Sequence, residues 1–347
     1  MSLRPLRFLV PGTTGRFRCG GLLVELQTAR LLAELGPVEL VTYRQREEGC
    51  LFLADLLRAE PLPGGAGGAL WIVSWGFDVP WLLRQLRGRA CAYHAHSSGY
   101  GFPLPPAVPV LAVSRNTLGY WGDRAPRNPL CLVPNALSPE WLQRGKRCGD
   151  GERSIDVLVQ QRKTSAYVLK LLVPALKAKG LRVEVQSGWV EDLVDLFNSA
   201  KVVLYDSADY WRGRGVTEGF GLPPLEALAC GCVVFSSLNH ALADSLEPGR
   251  LGHQLGAGTL AADLDAISAA VAQPADWRPQ LETLNALLEA SSEASLLEHW
   301  RQALVAVNQH WDRILAGEPA LKAPPLWRLR LKSKLRPIGS LAGRLRP

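Results

Sequence analysis

An α/β fold of two parallel, doubly wound domains facing a central cleft is what this sequence predicts, on two observations. Short apolar strands alternate with longer amphipathic stretches through the first half and again through the second. A polar, Gly-containing stretch, 143–154 (QRGKRCGDGERS), separates the two series. Strands joined by helical crossovers run parallel with helices on both faces, and such sheets bind ligands at the carboxyl ends of their strands.

In the first half the strands fall at 7–10, 38–42, 70–74, 89–93, 110–113 and 130–133. Helical stretches lie at 22–35, closed by Gly36-Pro37, and near 50–59, 78–86 and 114–121. The second half offers strands at 155–160, 182–186, 201–205 and 232–236, with helices at about 166–179, 190–199, 224–230 and 260–272. Residues 275–316 read as helical again, with Trp277, Trp300 and Trp311 available to pack. The expected division is 1–145 and 146–290 for the two domains, 291–319 for a helical segment and 320–347 for a basic tail. Gly64–Gly68 is expected to be a flexible surface loop without function.

Composition narrows the class. The chain of 347 residues is 47% apolar and 20% charged, as in a folded protein with a sizeable core. It has no apolar run of the roughly 18 residues that a membrane span needs. The opening Met1-Ser2-Leu3-Arg4-Pro5 leads into a strand without a secretory signal, and the seven scattered cysteines fit reduced thiols. A cytoplasmic protein is expected. The net charge of +7 is local: residues 320–347 hold eight Lys or Arg and no acid, leaving 31 bases against 32 acids elsewhere. A nearly neutral body argues against a nucleic-acid partner, which would require basic stripes on the folded surface.

The most informative segment is Thr217-Glu-Gly-Phe-Gly-Leu-Pro-Pro-Leu-Glu226. Gly219 and Gly221 permit tight turns and close approach of backbone amides, and Pro223-Pro224 suit the first turn of a helix. A glycine loop feeding a helix N-terminus is an anion site. Glu226 faces the same cleft in this reading and accepts from ribose hydroxyls, with Glu218 further along the ligand. The plain alternatives are a Glu that complements the helix dipole and a glycine turn that only turns.

As a whole the string resembles the retaining glycosyltransferases of the GT-B fold, family 4, whose signature is Glu-Gly-Phe-Gly-Leu-Pro-x-x-Glu followed by Ala-x-Ala-x-Gly. The chain has Glu218-Gly-Phe-Gly-Leu-Pro-Pro-Leu-Glu226-Ala-Leu-Ala-Cys-Gly231. Gly20-Gly21, Ala112-Val113-Ser114 and Val133-Pro134-Asn135 are similar to further landmarks of that family, so the likeness covers roughly residues 5–250. It implies two Rossmann-like domains, the first on the acceptor side and the second holding a nucleotide sugar through Gly219, Phe220, Gly221, Leu222 and Glu226, with Gly20 and Gly21 opposite. It also implies a cation pair for the diphosphate. Arg162-Lys163 is the candidate, although Gln160-Gln161-Arg162-Lys163 departs from the usual Gly-Arg with a later Lys. Adjacent basic residues at a strand end are otherwise ordinary solvated groups.

His94 and His96 lie two residues apart on an expected strand end, so their side chains share a face. The family has a His against the donor sugar in this region, and His96 is preferred over His94. No third ligand at recognisable spacing accompanies them, and no Asp-x-Asp is present, so no metal is expected and the cations replace one. No Gly-Lys-Ser/Thr loop supports a kinase, and Gly12, Gly15, Gly20 and Gly21 do not form the dinucleotide fingerprint. The tail, with Trp327-Arg-Leu-Arg-Leu-Lys-Ser-Lys-Leu, reads equally as a contact with an anionic membrane or as a disordered solubilising tail.

The expectation is therefore transfer of a sugar from a nucleotide-sugar donor to a hydroxyl acceptor with retention, in glycan, polysaccharide or glycolipid synthesis, with Glu218, His96 and His94 as catalytic candidates and no cofactor. Alternatives are a non-catalytic scaffold of the same fold and a nucleotide-sugar isomerase. A phosphorylase would need a pyridoxal-phosphate lysine setting that the chain does not show.

Overall fold

In the computed structural model, which describes residues 3–17, 19–60, 68–148, 151–256 and 258–342, the strands form two all-parallel sheets. The first contains β1 (Leu6–Val10), β2 (Val38–Thr42), β3 (Leu51–Phe52), β4 (Leu70–Val73), β5 (Cys91–Ala95), β6 (Val110–Ala112) and β7 (Leu130–Leu132), in the order β3-β2-β1-β4-β5-β6-β7. The second contains β8 (Ile155–Gln160), β9 (Val183–Gln186), β10 (Ala200–Tyr205), β11 (Val233–Ser236) and β12 (His253–Gln254), in the order β12-β11-β10-β8-β9. The α/β class with two parallel sheets is as the sequence pattern requires.

Strand order reverses between β1 and β4 in the first sheet and between β8 and β10 in the second. At each reversal the crossover helices leave on opposite faces, which opens a crevice beyond the carboxyl ends. The central strands are buried on both faces (β4 and β5 throughout), which explains why they read as continuous apolar runs instead of alternating ones.

Several details differ from the sequence reading. The strand expected at 89–93 runs from Cys91 to Ala95, because Arg89 belongs to the preceding turn, its amide bonded to Leu86 O. The helix expected at 166–179 is a π turn, Val168–Leu172, running into an α-helix, Val173–Ala178. Pro174 has no N–H for the regular ladder, and the wider turn absorbs that loss. Short β3, β12 and the helix Pro139–Arg144 were not anticipated. The Gly64–Gly68 loop lies outside the described residues except for Gly68, as do Gly149-Asp150 of the expected linker and 343–347 of the tail. Residues 326–342 of that tail form a helix.

The chain crosses between the cores twice. Val133 and Ala136 pack in the core of the first sheet, whereas Leu137 and Trp141 pack in that of the second. The return is made at Ser291, and Leu137 N donates to Ser291 O at 2.9 Å, so the two crossings lie side by side. The helix Glu293–Leu315 then packs back on the first domain, burying Leu296, Trp300, Leu304, Val307 and Trp311 in its core. Trp311 Nε1 donates to Cys91 O at 2.9 Å, which satisfies the indole N–H inside that core. No helix among the described residues is long and apolar enough to cross a membrane.

Candidate active site

The Glu-x7-Glu segment sits at the reversal point of the second sheet. Gly221 caps the helix Leu222–Ala229 in the left-handed conformation, φ 88°, and a Cβ there would overlap the Leu242 side chain. Glycine is thus required by both conformation and space. Gly219 is required by space alone, since a Cβ would collide with the carbonyl oxygen of His96 in the other domain. Pro223 and Pro224 start the helix but contribute no N–H, so the amides facing an anion come from the loop before them. Those of Gly219, Phe220 and Gly221 have no hydrogen-bond partner among the described residues, although Gly219 and Gly221 are buried. Buried amides without partners are uncommon and costly, which marks this loop as one shaped for an acceptor atom.

Glu218 is 4% exposed. Its Oε2 accepts from Tyr205 Oη and from Trp211 Nε1, each at 2.7 Å, and Lys163 Nζ lies 3.6 Å from Oε1. Burial, reinforced by the negative charge of Glu218, pushes the Tyr205 hydroxyl well above its ordinary value, so it stays a neutral donor. Lys163 is one of two non-glycine residues with positive φ among the described residues, at 72°. That strain, of order 1–3 kcal/mol, brings its ammonium to 4.6 Å over the Trp211 ring as well as to Glu218. A separation of 3.6 Å is longer than a charge-assisted hydrogen bond, so the ammonium is held near the loop without being consumed by Glu218. The other positive-φ residue is His240 (53°), whose Nδ1 accepts from Asn239 Nδ2 at 3.0 Å and from the Glu218 amide at 3.4 Å.

The carboxyl of Glu226, one turn into the helix, has no hydrogen-bond or ion-pair partner among the described residues. Burial pushes its carboxyl up to about 7, only partly offset by Lys163 and reinforced by Glu140. It is a carboxyl poised to accept from a neutral donor such as a hydroxyl. Phe220 and Leu222 pack on the second core, and Arg162 is exposed on the loop that carries Lys163. Of the expected cation pair, Lys163 is therefore the one brought to Glu218.

Across the cleft, His96 follows β5 and abuts this loop. Ser97 Oγ donates to Thr217 O at 2.6 Å, Ser98 N donates to Thr217 Oγ1 at 3.2 Å, and Thr217 N donates to Ser98 O at 3.2 Å. Asn116 Nδ2 adds a bond to Thr217 Oγ1 at 3.3 Å. The two domains are thus seamed immediately beside Glu218. His96 keeps 17% of its side chain open, whereas His94 is 1% exposed and lies edge-on to Trp300 with centroids 5.0 Å apart. Both imidazoles reach Glu25, His94 Nδ1 at 2.8 Å and His96 Nε2 at 2.7 Å from Oε1. Glu25 is thus a third group beside the histidines, brought there by the fold and not by sequence spacing. One side-chain nitrogen or oxygen of each of the three lies within 4.8 Å of the others. Gly20 and Gly21 open the helix that carries Glu25, and a Cβ at Gly20 would meet nothing within 4 Å, so packing does not demand that glycine.

Sequence reasoning missed Tyr205, Trp211, His240 and Glu25. Tyr205 ends a recognisable strand, and Glu25 falls in register with buried Leu22, Ala29 and Leu32; both were detectable as polar groups at apolar positions. Trp211 carries no such signal.

Similar solved structures share this geometry of two facing sheets. The chain is similar to a sucrose-phosphate synthase from Thermosynechococcus elongatus (16% identity, TM-score 0.58, covering 87% of this chain and 100% of that one). It is also similar to a glycosyltransferase from Rickettsia africae (12%, TM-score 0.61, 90% and 99%). A third is the Anabaena protein HepE, solved in complex with UDP-glucose (14%, TM-score 0.58, 87% and 99%). These likenesses define the class: a two-domain α/β protein of the GT-B fold. Residues 168–273 match the family described as glycosyl transferases group 1, so the resemblance read from the Glu-x7-Glu segment stands. No curated protein matches the sequence.

Proposed function

We propose that the protein transfers a glycosyl group from a nucleotide-sugar donor to a hydroxyl acceptor, with retention at the anomeric carbon. The observation that carries this reading is the run of unpartnered amides at Gly219–Gly221, beside Lys163 and Glu218 at the reversal point of the second sheet. Unpartnered amides next to a cation supply the charge stabilisation that a departing diphosphate needs, without reorganisation during the reaction. That role needs no metal in this proposal, and no other cofactor is invoked.

In the same reading the domain of the second sheet, which the chain enters at Leu137 and not at 146 as the sequence suggests, holds the donor, and the domain of the first sheet the acceptor. Glu226 accepts from ribose hydroxyls, and Glu218, fixed by Tyr205 and Trp211, meets the sugar. His96 borders the sugar from the opposite side, with His94 behind it. The helix Leu326–Ala342 exposes Leu326, Trp327, Leu329 and Leu331 among Arg328, Arg330, Lys332 and Lys334, a composition suited to peripheral contact with an anionic membrane and hence to a glycolipid acceptor. A cytoplasmic location at such a surface goes with it. HepE, with its UDP-glucose, supports a nucleotide-sugar donor by fold analogy alone.

Incubation with a panel of UDP-, GDP- and ADP-sugars tests the proposal. Slow hydrolysis of one donor, lost in Glu226→Ala, is expected. Tight binding of a nucleotide sugar without hydrolysis or transfer to any hydroxyl would support a non-catalytic scaffold instead.

A further inference from the structure

The cluster of Glu25, His94 and His96 is built from residues that neither the anion loop nor the ribose contact explains. Glu25 Oε1 faces two ring nitrogens, His94 Nδ1 at 2.8 Å and His96 Nε2 at 2.7 Å. Burial pushes the Glu25 carboxyl up, whereas hydrogen bonds from the two ring nitrogens, and positive charge whenever a ring carries it, hold it well below the usual carboxylate range. An ionised carboxylate only accepts, so each facing nitrogen carries a hydrogen.

The partners are then fixed one at a time. Burial lowers the His94 pKa, and its Nε2 is enclosed without a partner, so the ring is neutral and protonated at Nδ1. In neutral His96 the hydrogen sits on Nε2, which leaves the lone pair on Nδ1. That Nδ1 has no hydrogen-bond partner and is not among the enclosed unpartnered atoms, so it meets solvent. The backbone of His96 packs on Gly219, and its neighbour Ser97 bonds Thr217, so the open nitrogen belongs to a residue wedged against the Glu218 loop.

We propose that Glu25 is a positioning residue that holds His96 in its Nε2–H tautomer, so that Nδ1 is presented to the cleft as the acceptor for a sugar hydroxyl. The inference rests on the functional reading above for the identity of that hydroxyl, and on the contacts around an ionised Glu25 for the tautomer. His94 has the complementary part. It donates the second hydrogen bond that keeps a buried carboxylate ionised, while its own far side is closed by Trp300.

The tautomers are read directly from the imidazole ¹⁵N resonances of histidine-labelled protein. His96 is expected with the hydrogen on Nε2 and His94 with it on Nδ1, and Glu25→Gln is expected to disturb the His96 signals. A His96 protonated on Nδ1 overturns the proposal. So does stoichiometric Zn²⁺ binding that shifts both rings, which would make the cluster a metal site.

Turnover supplies the second arm. Asn places an amide oxygen as many bonds from Cβ as Nδ1 while falling short of Glu25, so His96→Asn retains an acceptor but severs the link. Glu25→Gln should lower turnover about tenfold in the His96 background and change it less than twofold in His96→Asn. Equal losses in both backgrounds would show Glu25 to be merely structural. Donor hydrolysis without acceptor reports whether the hydroxyl belongs to the donor sugar; a loss confined to the transfer assay assigns it to the acceptor. Should the tautomers be as stated while no nucleotide sugar turns over, the functional reading falls and the tautomer assignment stands.

Discussion

The carboxyl edges of the two sheets each bury a glutamate, and they stabilise it in different ways. Glu218, at the second edge, is met by two neutral donors and by a lysine kept at 3.6 Å. Glu25, at the first edge, is met only by imidazoles, with no lysine or arginine in contact among the described residues. The lysine at the second edge can serve an anion as well as the protein's own carboxylate, so that edge has charge to offer a ligand. The first edge spends its polar groups on orientation. Glu226 stands apart from both: half-buried, with no partner for its carboxyl among the described residues, it is left for something outside the chain.

The largest effects should come from breaking the second edge. Glu218→Gln removes the charge while leaving Tyr205 and Trp211 partly bonded, and should lower turnover about a hundredfold or more with little change in donor affinity. Lys163→Gly separates strain from function: relief of the positive φ keeps stability within about 1 kcal/mol of the parent in urea unfolding. Turnover should nevertheless fall by about a hundredfold. If turnover survived, the ammonium would not be serving the diphosphate.

Trp300→Ala strikes the first edge through its packing. The ring is fully buried against Phe8 and His94, so a loss of about 3–5 kcal/mol is expected by denaturant unfolding. Gly219→Ala attacks the seam between the edges. Its methyl would overlap the His96 carbonyl, and a cost of about 1–3 kcal/mol is expected, or separation of the domains with a fall in turnover.

The smallest effect is a pH dependence carried by Glu226. Its carboxyl rises on folding from 4.5 to about 7, so the folded chain binds that proton more tightly than the unfolded one. Its contribution to stability is therefore present at acid pH and lost as pH rises through that window. Donor affinity should run the other way, weakening as the carboxylate is protonated below about pH 7, and Glu226→Gln should flatten both trends. Deleting 320–347 should weaken binding to anionic liposomes and leave hydrolysis of a soluble donor unchanged; unaltered binding would remove the membrane proposal.

The same comparison explains what was legible in the sequence. The loop of the second edge is built from contiguous residues, 217–226, whose glycines, prolines and helix start declare themselves by type and order. The parallel sheets were legible because buried central strands are apolar throughout. The first edge is assembled across the chain: Glu25 lies 69 residues from His94, and only the packing of its helix on the sheet brings them together. Lys163 was legible as a residue at a strand end, but not its left-handed backbone, and that backbone is what singles it out from Arg162. Trp211 lies seven residues before Glu218 in a stretch without pattern, so its hydrogen bond follows from the fold alone.

The central claim is that the second edge binds a nucleotide-sugar donor through the loop and Glu226. Calorimetric titration of the protein and of Glu226→Ala with UDP-, GDP- and ADP-sugars tests it most directly. One donor should bind the parent, with affinity reduced about tenfold or more in the variant, equivalent to about 1.4 kcal/mol. Absence of binding by every donor, or equal affinity in parent and variant, would contradict it.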